Sequence, residues 1–217
     1  MQYTVFALIA FLIALCAFVQ GVFRLFKKGM PMYFQLIVCA VGCFTLEQLS
    51  SLVNIWCRMP EGLNVGILGI FGCGFFLLSA NYGTFDSIID DGSSGKEKIT
   101  ALAAPLLFAI PILVVFFVWS RKSIHSAVIL AAALAPCVPA SYFSFKHLLL
   151  PPDDFGLLLG TRACNIVQLC FLFAIVTVTF MEACLPKIVY STGLIVLSLI
   201  SYLLTQAAVR GAKAWRT

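Results

Sequence analysis

Seven apolar segments fill almost the whole of this chain, and they constrain its fold more than any single residue does. They run over 3–23, 31–57, 64–85, 99–119, 123–145, 162–185 and 187–209. Each is at least about 20 residues long, enough to span ~30 Å of hydrocarbon at ~1.5 Å of rise per residue. In lipid a helix satisfies its own backbone hydrogen bonds, so helices are the expected elements. A chain that is 62% hydrophobic and 11% charged cannot hide its apolar surface as a soluble domain. The connections over 86–98 and 146–161 leave no room for a catalytic or signalling domain outside the bilayer. The expected fold is all-α: a polytopic integral membrane protein, with residues 1–217 forming a single seven-transmembrane-helix bundle.

The charges predict its orientation. With the amino terminus outside, the inner positions hold ten cations: Arg24, Lys27, Lys28, Lys96, Lys98, Lys146, Arg162, Arg210, Lys213 and Arg216. The outer positions hold four: Arg58, Arg121, Lys122 and Lys187. The positive-inside rule expects this bias. The carboxyl terminus is then in the cytoplasm, and the chain is a multi-pass protein of a cell membrane. No positive side chain precedes the first span, so that span reads as an uncleaved anchor. The formal net charge of +5 sits at helix ends, where it meets lipid head groups. The bilayer is thus an expected partner and nucleic acid is not.

The spans differ in their polar faces. In the second, Gln35, Cys39, Cys43, Glu47, Ser50, Asn54 and Cys57 fall within about 120° of one face at ~100° per residue. The opposite face is Leu36, Val38, Phe44, Leu52 and Ile55. The third span places Gly66, Gly69 and Cys73 on one small face, which lets another helix approach closely. The fourth, Ala101 to Trp119, has no polar side chain in its interior and should be peripheral, kinked at its prolines. The sixth carries Asn165, Gln168 and Thr179, with Arg162 and Glu182 near its ends. The seventh carries Ser191, Ser198, Tyr202 and Thr205 within about 60° of arc.

Glu47 is the sharpest feature. Helix rise puts it about 15 Å from the end of its span. An ionised carboxylate at such depth costs at least ~2.5 kcal/mol, and intramembrane acids mark functional sites. The expected ligand-binding set is Glu47, Asn54, Asn165, Gln168, Ser198 and Tyr202, all pointing into one central cavity. That set would bind or transport a small solute, proton-linked through Glu47. Glu47 could instead cement helices together, with Gln168 or Tyr202 as its partner. The alternative function is a receptor-like or accessory subunit that contacts another membrane protein or a second copy of itself. The small face of the third span would serve that role. Asn81 is expected to make interhelical hydrogen bonds.

Enzyme chemistry has little support. The chain lacks HExxH, GxSxG, a Walker lysine loop and a glycine-rich dinucleotide turn. Its histidines, His125 and His147, sit at opposite ends of the fifth span, so they cannot share a metal or an acid–base pair. No catalytic residue, metal site or cofactor is expected. The nine cysteines have no zinc-ribbon or redox CxxC spacing and read as packing residues, with Cys57 and Cys184 the one pair placed for a disulfide.

Overall fold

The computed structural model describes residues 2–57, 65–83, 95–150 and 157–214. Among these, every regular element is a helix: α1 (Gln2–Leu25), α2 (Met32–Cys57), α3 (Gly66–Asn81), α4 (Gly95–Ala101), α5 (Ala103–Ser120), α6 (Ile124–Leu134), α7 (Cys137–Leu149), α8 (Leu157–Cys184) and α9 (Lys187–Ala214). Two expected spans are broken helices. Proline lacks an N–H and its ring crowds the carbonyl four residues earlier. Pro105 thus interrupts the ladder at Ala101, and the chain tightens at Leu102 between α4 and α5. Pro139 does the same at Ala135, where the Val138 N–H turns back to the Ala135 carbonyl at 3.2 Å. Counting each broken pair once, six segments are long and apolar enough to cross a membrane: Tyr3–Leu25, Met32–Cys57, Gly95–Ser120, Ile124–Leu149, Gly160–Cys184 and Lys187–Ala214. The seventh, α3, is apolar but has only 16 residues, about 24 Å of helix. The remainder of that expected span, at 64 and 84–85, lies outside the described residues.

The helices alternate in direction and define two faces. At the amino-terminal face Tyr3 of α1 meets Tyr190 of α9, ring centroids 6.4 Å apart. Near the carboxyl-terminal face Gln206 Nε2 donates to Gln20 Oε1 at 2.6 Å. In packing order the bundle runs α3, α2, α1, α9, α8; α5 and α7 lie against α8, and α3 closes onto α6 and α7.

The α2–α3 seam is a close one, as is the approach of α9 to α8 where Gly211 meets the Gly160 carbonyl. A Cβ on Gly69 would sit 2.6 Å from the Cys43 carbonyl oxygen and 2.9 Å from Glu47 Cβ, and one on Gly72 2.9 Å from Cys43 Sγ. The small face of α3 is therefore spent inside the chain. This corrects the expectation that it is free for a partner protein. On the far seam, Ala7, Ala10, Ala14 and Ala17 of α1 are buried in one row. The Thr45 hydroxyl of α2 donates to the Ala14 carbonyl at 3.2 Å.

The face of α2 opposite its polar stripe is largely interior. Val38, Phe44 and Leu52 are buried, and the exposed strip is Leu46, Leu49, Val53 and Trp56. The reason is enclosure: α1, α3 and α9 all pack on α2, so only a narrow strip remains outward. The fourth span is peripheral as expected, with Leu106, Leu107, Ile110, Leu113 and Phe117 exposed. Such outward apolar faces suit a lipid bilayer. Cys57 and Cys184 are both exposed and carry free thiols.

Backbone cannot yield to a new side chain as a flexible rotamer can. Gly69→Leu should therefore lower stability by about 1–3 kcal/mol. Gly83→Ala, with nothing within 4 Å of its new methyl, should not destabilise by steric clash. Thermal unfolding of the two purified variants checks this; equal melting would remove the close seam.

Candidate functional site

Helix α8 organises the interior. Thr161, Asn165, Gln168, Phe171, Leu172, Ile175 and Thr179 follow steps of three and four, which place them on one side of a helix. All are buried. Glu182 continues the row in the last turn of α8, at the amino-terminal face of the bundle, and is exposed at its rim. The row divides into two polar zones and an apolar middle.

The zone toward the amino-terminal face is a chamber of about 30 Å³. That is room for one or two waters and far less than a metabolite fills. Its polar lining is Glu47 of α2, Thr179 and Glu182 of α8, and Tyr190 of α9; the rest is apolar, including Phe44, Ile70 and Ile175. Gln48 Nε2 donates to Glu47 Oε2 at 2.6 Å, and the Ser51 hydroxyl donates to Oε1 at 3.0 Å. Both donors belong to α2 itself. At the rim, Lys122 Nζ donates to the Ala183 carbonyl at 2.9 Å and lies 5.1 Å from the Trp119 ring centroid. The Trp119 indole N–H reaches the Thr179 carbonyl at 3.5 Å.

The middle is a plug. Phe44 meets Phe171 edge to face, centroids 5.3 Å apart and rings at 90°. Leu172 and Ile175 are buried beside them in the row.

The zone toward the carboxyl-terminal face is a hydrogen-bond network at the junction of α3, α7 and α8. Asn81 Nδ2 donates to Gln168 Oε1 at 3.1 Å and to Ser144 Oγ at 3.3 Å. Gln168 Nε2 donates to the Leu77 carbonyl at 3.3 Å, and Ser144 Oγ donates to the Ala140 carbonyl at 2.8 Å. These directions leave Asn81 Oδ1 as an acceptor, 2.9 Å from His147 Nδ1. The network thus assigns the proton to Nδ1 of His147. Lys146 is buried next to it. On the other side of α8 the Tyr33 hydroxyl donates to Asn165 Oδ1 at 3.0 Å. Asn165 Nδ2 and Ser198 Oγ are buried without a hydrogen-bond partner.

The six expected site residues therefore do not share one cavity. Glu47 lines the chamber. Gln168 and Asn165 are buried nearer the opposite face, in different hydrogen bonds. Ser198 is buried on α9, outside the chamber lining. Asn54 is half-buried two turns beyond Glu47 and also outside that lining. Tyr202 is 36% exposed and does not point inward. Its stripe was read over too narrow an arc: the packed side of α9 centres on Leu194, Ser201, Leu204 and Ala208, and Tyr202 sits roughly 100° away at its edge.

Tyr190, Ser144 and His147 belong to these zones although no local sequence pattern marks them. One signal was available for Glu182. It lies fourteen residues, two heptads, after Gln168, so both occupy one helix face. Among the described residues, no group of three or more His, Cys, Asp or Glu side chains could hold a metal ion.

Gln168→Leu would leave one Asn81 Nδ2–H unpaired in the interior. The expected cost is about 1–3 kcal/mol, whereas Tyr202→Phe, altered at an exposed edge, should be near neutral. Thermal melts of the two variants decide between this network and a passive contact. Compared with protein families, with characterised proteins and with solved structures, the chain matches none.

Proposed function

We propose that this protein binds or carries a small solute through its helix bundle in a cell membrane, with Glu47 as the protonatable group linked to that solute. The observation that carries the reading is how Glu47 is held. It is buried and lines a chamber, yet both of its hydrogen bonds come from its own helix. A carboxyl that served to tie helices together would bond across a seam. Gln168, one of its expected partners for that role, is engaged with Asn81 and Leu77 instead. Burying an acid in hydrocarbon is costly, and structural bonding between helices does not account for this one.

The chamber is too small for a solute as it stands. The reading therefore requires the Phe44–Phe171 plug to part, joining the chamber to the polar zone around Asn81 and Gln168. Alternating exposure of a midplane site to the two faces is the general scheme of secondary transport. The accessory-subunit reading has less to rest on, because the glycines that would have formed its docking face pack on α2.

In this proposal the amino-terminal face is outside and the carboxyl-terminal face cytoplasmic. The cations support it. Arg24, Lys96, Lys98, Arg210 and Lys213 lie toward the carboxyl-terminal face, against Arg121, Lys122 and Lys187 at the other. With Cys57 and Cys184 replaced, an impermeant maleimide added to intact cells should label Arg121→Cys and miss Lys213→Cys. The reverse pattern would invert the bundle.

Glu47→Gln keeps size and hydrogen bonding and removes the titration. It should fold with near-normal stability and lose pH-dependent uptake of solute in vesicles. Glu47→Ala should also fold, at a cost of about 1–3 kcal/mol, since the buried Gln48 Nε2 loses its acceptor. A Gln variant with wild-type pH dependence of uptake would sink the reading.

A further inference from the structure

The chamber beside Glu47 has a chemistry of its own. Its polar lining consists of oxygen groups: two carboxyls, the Thr179 hydroxyl and the Tyr190 hydroxyl. No Lys, Arg or His lines it. Tyr190 is 8% exposed, and its hydroxyl has no hydrogen-bond partner among the described residues; its electrostatic neighbours are Glu182, Glu47 and Tyr3. A buried phenol that faces carboxyls across a cavity and bonds to neither leaves an oxygen available there. Each Glu47 oxygen accepts one hydrogen bond and so keeps further acceptor capacity.

We infer that the chamber binds one alkali-metal cation between Glu47, Glu182 and the Tyr190 hydroxyl. The inference rests on the proposed function above and names the ion linked to the solute.

Charge, size and ligand type support it together. The titratable and charged groups around Glu47 come from every packed element. They are Glu182 on α8, Tyr190 on α9, Tyr3 on α1, Cys73 on α3, and Lys122 at the α5–α6 turn, which acts on Glu182. When ionised, Glu47 and Glu182 outnumber the single cation that acts on them, Lys122, by one negative charge. One monovalent cation neutralises it, whereas a divalent ion would leave an excess positive charge in a low-dielectric site. About 30 Å³ admits a dehydrated alkali ion with a water and excludes an organic cation. Oxygen donors are the ligands that hard cations take.

The test uses the full chain in detergent, melted at constant ionic strength in sodium, potassium or choline chloride. A ligand that binds only the folded state raises its melting temperature. Sodium or potassium should raise the midpoint over choline by roughly 2–4 °C or more. The concentration giving half the shift should increase several-fold from pH about 8 to about 6, as protons compete for Glu47. Glu47→Gln and Glu182→Gln should abolish the shift. Tyr190→Phe keeps the ring against Tyr3 and loses only the hydroxyl; it should fold and need several-fold more salt. Equal melting in alkali and choline salts overturns the inference, and so does an undiminished shift in Glu47→Gln or Tyr190→Phe. Melting that follows pH alone also overturns it but leaves proton-linked solute binding standing, which the uptake assay of Glu47→Gln decides separately.

Discussion

The seat of α3 on the backbone of α2 at Gly69 fixes the rest of the interior. With no Cβ at that position, α3 comes within contact of the Cys43 carbonyl and the Glu47 backbone. The approach closes one side of Glu47 and leaves its carboxyl facing α8 and α9. The same seating carries α3 onward so that Gly74 meets Pro136 and Cys137 and Asn81 meets Ser144 and His147. A glycine near one face of the bundle thus sets the alignment of a hydrogen-bond network near the other. In lipid, where apolar burial supplies no drive between helices, such close contacts have the largest effect on packing.

Much of the fold was legible in the sequence because hydrocarbon imposes simple demands. Length and hydropathy located the long helices, and the prolines of the fourth span marked it as irregular. The burial of Glu47 and of the α8 polar row followed from the cost of polar groups in lipid. Sequence periodicity could not show how many neighbours a helix has. A stripe marks a direction on α2, but the buried sector there is far wider than the stripe, since three helices surround it. That is why Phe44 is interior although it lies opposite Gln35. Tyr202 failed for the complementary reason: a polar arc need not be centred on the packed arc. The division of one expected cavity into two zones depends on the pairing of Phe44 with Phe171, two residues on different helices that no local pattern relates.

The interior alternates in chemistry along α8. Acidic and hydroxyl groups line the chamber, aromatic and branched side chains fill the middle, and amides with a histidine form the far network. Around Asn81 each named donor has an acceptor, which makes that part a rigid element, whereas Asn165 Nδ2 on the other side of α8 has none. The chamber is the reverse, with oxygen groups exceeding donors. Polar atoms without partners are tolerated inside a protein only where something else compensates them; Asn165 Nδ2 and Ser198 Oγ, both outside the chamber lining, are two such atoms.

The alanine row of α1 has a thermodynamic consequence. Alanine and glycine have no side-chain rotamers to lose, so ordering them against a neighbour carries no side-chain entropy cost. Ala7, Ala10, Ala14 and Ala17 form the buried row of α1 and Gly21 continues it, close to Val38 and Thr205. The helix therefore docks on α2 and α9 through many short-range dispersion contacts while its mobile leucine, valine and phenylalanine side chains stay on the lipid side. Its attachment is favoured by what the seam leaves unfrozen as well as by what it touches.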